Sequence, residues 1–339
     1  MTKAFSHMDP FLSEADAATM QEIAESFGSF GTYANEATSE GLGEDLPQRF
    51  DAGLNYLLHG IDGAGNPDDP ETAASRTNYF RETYAYGSDI LAPGIKPFLD
   101  NETLQSAAVE ISGVDRIVPA IVYANLLVPG QELSIHTDVP EFLGANRKCL
   151  PQWLLVCMLH SGLFDQWRIP ILTCVSWFGS AEGGAFTFYP QGVDGDRESI
   201  PARHNTAILL DTDKVFHGVE RVAKQLPGIP PIGQATKLHH TGGDRWQLRE
   251  GSDVLAEYRW KDIRYSISWK AYCFEDAAAE RRWREGIDDL SLEQILAIFE
   301  AELRERGLLT GDRPGGNDFA LMMSEVFIRF PGSALREAG

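Results

Sequence analysis

Apolar positions recur every three or four residues in the first third of the chain. Behind Ser13, a residue type that caps helices, Ala17, Met20, Ile23, Ala24 and Phe27 fall on one face and predict a helix. Phe50, Leu54, Leu57 and Leu58 repeat the spacing until Gly60 interrupts it, and a further helix is expected near 102–112. The stretch 60–75, GIDGAGNPDDPETAAS, is turn-rich and reads as a surface loop. The helical period returns near the C-terminus, where Ser291 and Gln294 form a capping-box pair. Leu292, Ile295, Leu296, Phe299 and Leu303 share one face there, and Gly307 ends the segment.

From about residue 117 the texture changes to short, β-branched runs separated by turn signals. These are 117–129 (IVPAIVYANLLVP), 131–138 (QELSIHTD), 168–178 (RIPILTCVSWF), 185–190 (AFTFYP), 205–211 (NTAILLD), 214–222 (KVFHGVERV) and 262–274 (DIRYSISWKAYCF). Many short strands at such spacing predict an antiparallel sandwich or barrel. The apolar segment 151–164 is expected to be a helix lying on it. The stretch 223–252 is rich in Pro and Gly without a clear period, and is expected to form a flexible lid over the substrate side. The fold class expected is therefore a mostly β core with flanking helices (α+β), in a single domain over 1–339. It divides into an N-terminal helical region (1–115), a core (116–274) with the insert 223–252, and C-terminal helices (275–339).

Composition narrows the function classes. Hydrophobic residues at 43% and charged residues at 23% exclude wholesale disorder. A formal charge of −21 repels phosphate backbones, so no nucleic-acid partner is expected. The same charge favours a neutral or cationic small-molecule substrate. The N-terminal residues lack the basic-then-apolar run of a signal peptide, and no stretch reaches the ~18 apolar residues that span a bilayer. No membrane partner and a cytoplasmic location are expected. Cys149, Cys157, Cys174 and Cys273 show no CxxC pairing and are expected to be buried thiols. Nothing in the sequence indicates an oligomeric state.

The residues that carry chemistry lie in the β region. His136 and Asp138 are two apart, so an extended chain turns both to one face, where an imidazole and a carboxylate can meet one cation. His217, on a separate strand-like run and followed by a glycine, supplies a third candidate ligand. Two histidines and a carboxylate on one face of a metal are the set expected of mononuclear non-haem Fe(II), with positions left open for a chelating co-substrate and O2. Arg264 and Ser266 are likewise two apart on one face of a strand, with Ile263, Tyr265, Ile267 and Trp269 on the other. An inward arginine is costly unless it meets an anion, and a guanidinium fork beside a hydroxyl suits a carboxylate. Arg259, Lys261 and Lys270 are expected to be solvated. Arg147 is a candidate substrate contact, His160 and His204 are expected to be structural or exposed, and His239 and His240 are expected to be solvated loop residues rather than substrate contacts.

The segment 119–274 resembles the catalytic core of the 2-oxoglutarate/Fe(II)-dependent oxygenases, most of all their prolyl 4-hydroxylase-like branch. The matching pieces are LVPGQELSIHTD, GGAFTFYP, TAILLDTDKVFHGVERV and RYSISWKAY. The resemblance implies a double-stranded β-helix, or jelly-roll barrel, with His136, Asp138 and His217 as Fe(II) ligands. It also implies that Arg264, helped by Ser266, binds the distal carboxylate of 2-oxoglutarate, with O2 as the second co-substrate. The chain departs from the family in carrying Leu127 where a tyrosine is common, so that Tyr123 or Asn125 supplies the polar contact. It departs also in the 46 residues between His217 and Arg264, which leaves Arg221 as a competing anchor. With Asp138 present, the implied reaction is hydroxylation or another C–H oxidation of a small molecule, amino-acid-derived or a natural product. A metal-dependent hydrolase or isomerase of cupin type, using Zn or Mn on the same three residues, is the alternative, and an intact triad argues against a non-enzymatic binding module.

Overall fold

The computed structural model describes residues 4–33, 42, 46–225 and 228–331. The chain begins with β1 (Phe5–Met8), α1 (Glu14–Phe27), β2 (Ser29–Thr32), α2 (Phe50–His59) and α3 (Pro70–Thr77). It continues through β3 (Phe80–Tyr86), β4 (Asp89–Ile90), α4 (Lys96–Leu99), α5 (Glu102–Ser112), β5 (Arg116–Leu127), β6 (Leu133–His136) and β7 (Glu141–Phe142). After α6 (Gln152–Ser161) come β8 (Arg168–Ile169), β9 (Ile171–Trp177), β10 (Phe186–Phe188), β11 (Glu198–Ile200), β12 (Thr206–Leu210) and β13 (His217–Val219). The remainder is β14 (Thr236–Gly242), β15 (Arg245–Glu250), β16 (Asp253–Arg259), β17 (Arg264–Phe274), α7 (Ala277–Glu285), α8 (Leu292–Glu305) and α9 (Gly316–Phe327).

Local chemistry sets the expected helix ends. The Ser13 side chain accepts the Asp16 N–H at the start of α1, and Ser291 and Gln294 close a capping box at the start of α8. The turn-rich stretch 60–75 is a loop only in part: Asp69 caps the N–H groups of Glu71 and Thr72, and with Pro70 in the first turn starts α3 there.

The strands form two facing antiparallel sheets, with β7 and β8 paired separately as a two-stranded one. The large one has the order β1-β12-β9-β17-β5-β3-β2-β14-β15-β16, with β4 beside β3; the small one has the order β11-β10-β13-β6. Among the described residues they are not joined by hydrogen bonds into a closed barrel. One face of the large sheet is covered by α1, α4 and α5. Tyr265, Ile267, Trp269 and Ala271 of β17 bury there against Met20, Ile23, Phe98 and Leu104. Period-two alternation therefore turns Arg264, Ser266, Ser268, Lys270 and Tyr272 toward the small sheet. Between the sheets Val175, Trp177, Ile208 and Leu210 meet Phe186 and Phe188. Helix α6, apolar all round, packs with α8 and α9 in a separate core.

Two expectations need correction. The N-terminal region is not wholly helical, because β1 pairs with β12, and β2 and β3 extend the large sheet beyond β5. Nor does the excursion 223–252 form a lid over its whole length. Its second half is the β14–β15 hairpin, whose Leu238, Trp246 and Leu248 are fully buried in the main core against Phe30 and Trp260. The apolar alternation Trp246-x-Leu248 gives it a buried face despite the glycines at the turn.

Candidate active site

His136 ends β6 and His217 begins β13, and the two are directly paired across the small sheet, ring centroids 4.5 Å apart. The strands approach closely here: a Cβ on Gly218 would lie 2.7 Å from the Leu133 carbonyl oxygen, so only glycine follows His217 without displacement. Asp138 follows β6 by two residues, its backbone N–H donating to the Thr212 carbonyl at 2.8 Å. Its Oδ1 lies 3.7 Å from His136 Nε2 and 3.9 Å from His217 Nε2. The ligand atoms of all three side chains lie within 4.8 Å of one another.

Neighbouring groups prepare each ligand. His136 Nδ1 donates to the Ser134 carbonyl at 2.7 Å and His217 Nδ1 to the Val215 carbonyl at 2.9 Å, so both Nε2 lone pairs face the centre. Burial, reinforced by His136, pushes the His217 imidazolium down to about 3 and keeps the ring neutral. Asp138 Oδ2 accepts from Thr212 Oγ1 at 2.6 Å and from Lys270 Nζ at 2.7 Å, which turns Oδ1 toward the histidines. Burial alone would raise this carboxyl, but chiefly the Lys270 ammonium holds it well below the usual carboxylate range. Donors of this kind at these separations fit one divalent ion with bonds of ~2.1 Å.

His136 and Asp138 open into a cleft of about 1100 Å³, whose wall includes Tyr33, Arg81, Tyr123, Arg147, Lys148 and Lys270. Lys270 is thus not solvated as expected. It shares the parity of Arg264 and Ser266 on β17, and that spacing was the available signal for an inward position. Arg81 and Thr212 went unrecognised because no local motif marks them.

Arg264 sits deeper between the sheets, 3% exposed. Its Nε donates to the Gly184 carbonyl at 2.6 Å and its Nη1 to Ser266 Oγ at 3.3 Å, while Nη2 has no partner. Burial without a carboxylate pushes the guanidinium down to about 9. Gly184 leaves the room it occupies, since a Cβ there would come 2.5 Å from Arg264 Cδ. Ser266 lies opposite Asn125 of β5 on one side and Trp177 of β9 on the other. Asn125 Oδ1 and Trp177 Nε1 are likewise buried without partners. Tyr123, opposite Ser268, lies between this row and Lys270 on the same inner face. Arg221 is already engaged, donating to Glu132 at 2.9 and 3.0 Å.

The other expected residues lie apart from this chemistry. His160 bonds Thr137 and stacks on Phe216, and His204 is exposed. His239 and His240 belong to β14 rather than to a loop, at the far end of the large sheet. Three cysteines are buried, but Cys149 is exposed. No helix among the described residues is long and apolar enough to cross a membrane.

No family model and no curated protein matches the chain. Solved structures similar to it include a prolyl-4-hydroxylase of Pseudomonas putida, at 11% identity and a TM-score of 0.38 over 80% of this chain and 93% of that one. A prolyl hydroxylase of Trichoplax adhaerens in complex with a hypoxia inducible factor peptide is 11% identical with a TM-score of 0.43, covering 84% of this chain and 87% of that one. The non-heme alpha ketoglutarate dependent epimerase SnoN from nogalamycin biosynthesis is 9% identical with a TM-score of 0.40, covering 82% and 83%. Likenesses at this level transfer no residue roles.

Proposed function

We propose that the chain is a 2-oxoglutarate- and Fe(II)-dependent oxygenase that oxidises a C–H bond of a small molecule. The observation that carries this reading is Arg264, a buried guanidinium with no carboxylate and one nitrogen unpartnered. It faces the sheet that bears the His136–Asp138–His217 cluster. Such a cation is costly to bury unless an anion meets it. A hydrolase needs the metal cluster but no inward carboxylate anchor. The two facing sheets, one with the ligands and one with the anchor, correspond to the halves of a double-stranded β-helix.

In this reading His136, Asp138 and His217 hold Fe(II). Arg264, Ser266 and Asn125 receive the distal carboxylate of 2-oxoglutarate, and Tyr123 lines the space between. Lys270 and Thr212 fix Asp138 Oδ2, so that the carboxylate presents one oxygen to the centre. Loaded with both groups and O2, the site supplies an oxidation in which 2-oxoglutarate leaves as succinate and CO2 while one oxygen atom goes to substrate. The cleft of about 1100 Å³ accommodates a substrate larger than a free amino acid. Addition of 2-oxoglutarate to anaerobic, Fe(II)-loaded protein is expected to produce a visible charge-transfer band. In air, a metabolite library is expected to elicit succinate. Failure of both would rule the reading out, and hydrolysis of an ester panel with Zn(II) would install the cupin-type alternative.

A further inference from the structure

The chain as a whole is strongly acidic, yet the wall of the cleft above the cluster carries cations in no ion pair, of which only Lys148 feels a nearby carboxylate, that of Glu141. Other cations near this site are paired: Arg49 with Asp51, Lys270 with Asp138, Arg284 with Glu280. Among the described residues Arg81, Arg147 and Lys148 make no ion pair. Their partners are phenols. Arg147 Nη2 donates to Tyr33 Oη at 3.2 Å, and Lys148 Nζ donates to Tyr86 Oη at 3.0 Å. Arg81 Cζ stands 3.7 Å from the ring centre of Tyr123 and 4.9 Å from that of Tyr33. Stacking fixes the guanidinium plane, and its hydrogen-bonding edge meets the Tyr79 hydroxyl but no carboxylate. The field is positive enough to act on Tyr33. Burial alone would raise its hydroxyl, but Arg147, Arg81 and Arg49 hold it below the ordinary phenol range.

We propose that this wall binds a carboxylate of the primary substrate, with Arg81 as the inner contact and Arg147 and Lys148 at the mouth. Gathering like charges in one cleft is unfavourable until an anion enters, and a planar guanidinium takes a carboxylate bidentately. The aromatic faces of Tyr33, Tyr86 and Tyr123 suit an apolar or aromatic body on the same molecule. That its reacting carbon then lies over the metal cluster rests on the oxygenase reading; the anion site does not. The net charge therefore misleads about the substrate, because the local field is opposite to the global one.

The test is calorimetric binding to the full-length protein of 3-phenylpropionate and indole-3-acetate, each against its primary amide. At least one acid is expected to bind about tenfold or more tightly than its amide, as loss of a charged hydrogen bond implies. That preference should fall to within about twofold in Arg81→Gln, return in Arg81→Lys, and shrink in the Arg147→Gln/Lys148→Gln double variant. Acids no tighter than amides, or an undiminished preference in Arg81→Gln, would overturn the proposal. A separate titration with 2-oxoglutarate distinguishes the co-substrate. If Arg81→Gln loses 2-oxoglutarate but keeps the acid preference, Arg81 belongs to the co-substrate and the proposal fails. If wild type binds neither Fe(II) nor 2-oxoglutarate yet prefers the acids, the oxygenase reading fails and the anion site stands.

Discussion

Lys270 Nζ lies 2.7 Å from Asp138 Oδ2, with both side chains largely out of solvent at 16% and 20% exposure. The ammonium comes from the middle of the large sheet and the carboxylate from a loop of the small one, so the pair ties the two sheets beside His136 and His217. In metal-free protein, Lys270→Met leaves Asp138 with Thr212 alone. A stability loss of about 2 kcal/mol is expected, below the full cost of breaking a deeply buried pair. Urea unfolding in the presence of a chelator measures it; an unchanged midpoint would mean that the pair contributes nothing.

Each of His136→Ala, Asp138→Ala and His217→Ala should abolish turnover and weaken Fe(II) binding by more than tenfold, with folding intact. Metal titration alongside circular dichroism checks this. A folded variant with wild-type iron affinity removes that residue from the ligand set.

Arg264 and Arg221 should separate cleanly. Arg264→Met is expected to weaken 2-oxoglutarate binding more than tenfold, from the ~2–5 kcal/mol of a truncated buried charge contact. It should also raise the melting temperature of co-substrate-free protein, because it removes an unpaired buried cation. Arg221→Met should do the reverse, sparing 2-oxoglutarate and lowering stability by stranding the buried Glu132. Ser266→Ala should have a smaller effect on 2-oxoglutarate, about 1 kcal/mol. If Arg221→Met is the variant that loses 2-oxoglutarate, the anchor has been misassigned.

The contribution of His160 to stability should fall with acid below about pH 6.5, against the opposite contribution of the buried Asp213 carboxyl, which burial raises to about 8. Burial lowers His160 to about 4, so the unfolded chain takes up its proton first and folding opposes protonation. The contribution is complete above the ordinary histidine value of ~6.5 and is lost as pH falls toward 4, by at most about 3 kcal/mol. His217 adds to the same slope in metal-free protein. Urea unfolding at pH 7, 6 and 5 should show wild type losing stability relative to His160→Leu as the pH falls. A variant with the wild-type slope would exclude His160 as its source.

Trp246→Ala should cost about 3–5 kcal/mol, since the indole is fully buried against Phe30 and Trp260. Fe(II) and 2-oxoglutarate binding by the remaining folded protein should be unaffected. Coupled changes in both would return the hairpin to a functional role.

The strands of the site were legible because each is a β-branched run bounded by turns, and because spacing of two places His136 with Asp138 and Arg264 with Ser266. The same parity extended to Lys270 would have turned it inward; its neighbours Arg259 and Lys261, which are at the surface, gave the opposite impression. Strands β1 and β2 are four residues each and acquire their identity from β12 and β14, more than two hundred residues away in the chain. No local pattern encodes such pairing. The β14–β15 hairpin was obscured by weighting its prolines and glycines over the alternation of Leu238, Trp246 and Leu248. Arg81 stands in an ordinary amphipathic strand, and what singles it out is the group of tyrosines around it, Tyr33, Tyr79 and Tyr123.

Because Arg264, Ser266, Ser268, Lys270 and Tyr272 alternate along one strand, β17 behaves as a graduated ruler held at both edges by β5 and β9. Its six-residue interval from Arg264 to Lys270 spans ~20 Å and cannot be stretched. One inserted residue between 264 and 270 would turn part of that stripe into the helix-covered core and bring hydrophobic side chains inward. The loop bearing Arg147 and Lys148 has no such constraint. Insertions there can reshape what the cleft admits while the spacing along β17 stays fixed, so the shape of the cleft can be altered independently of that stripe.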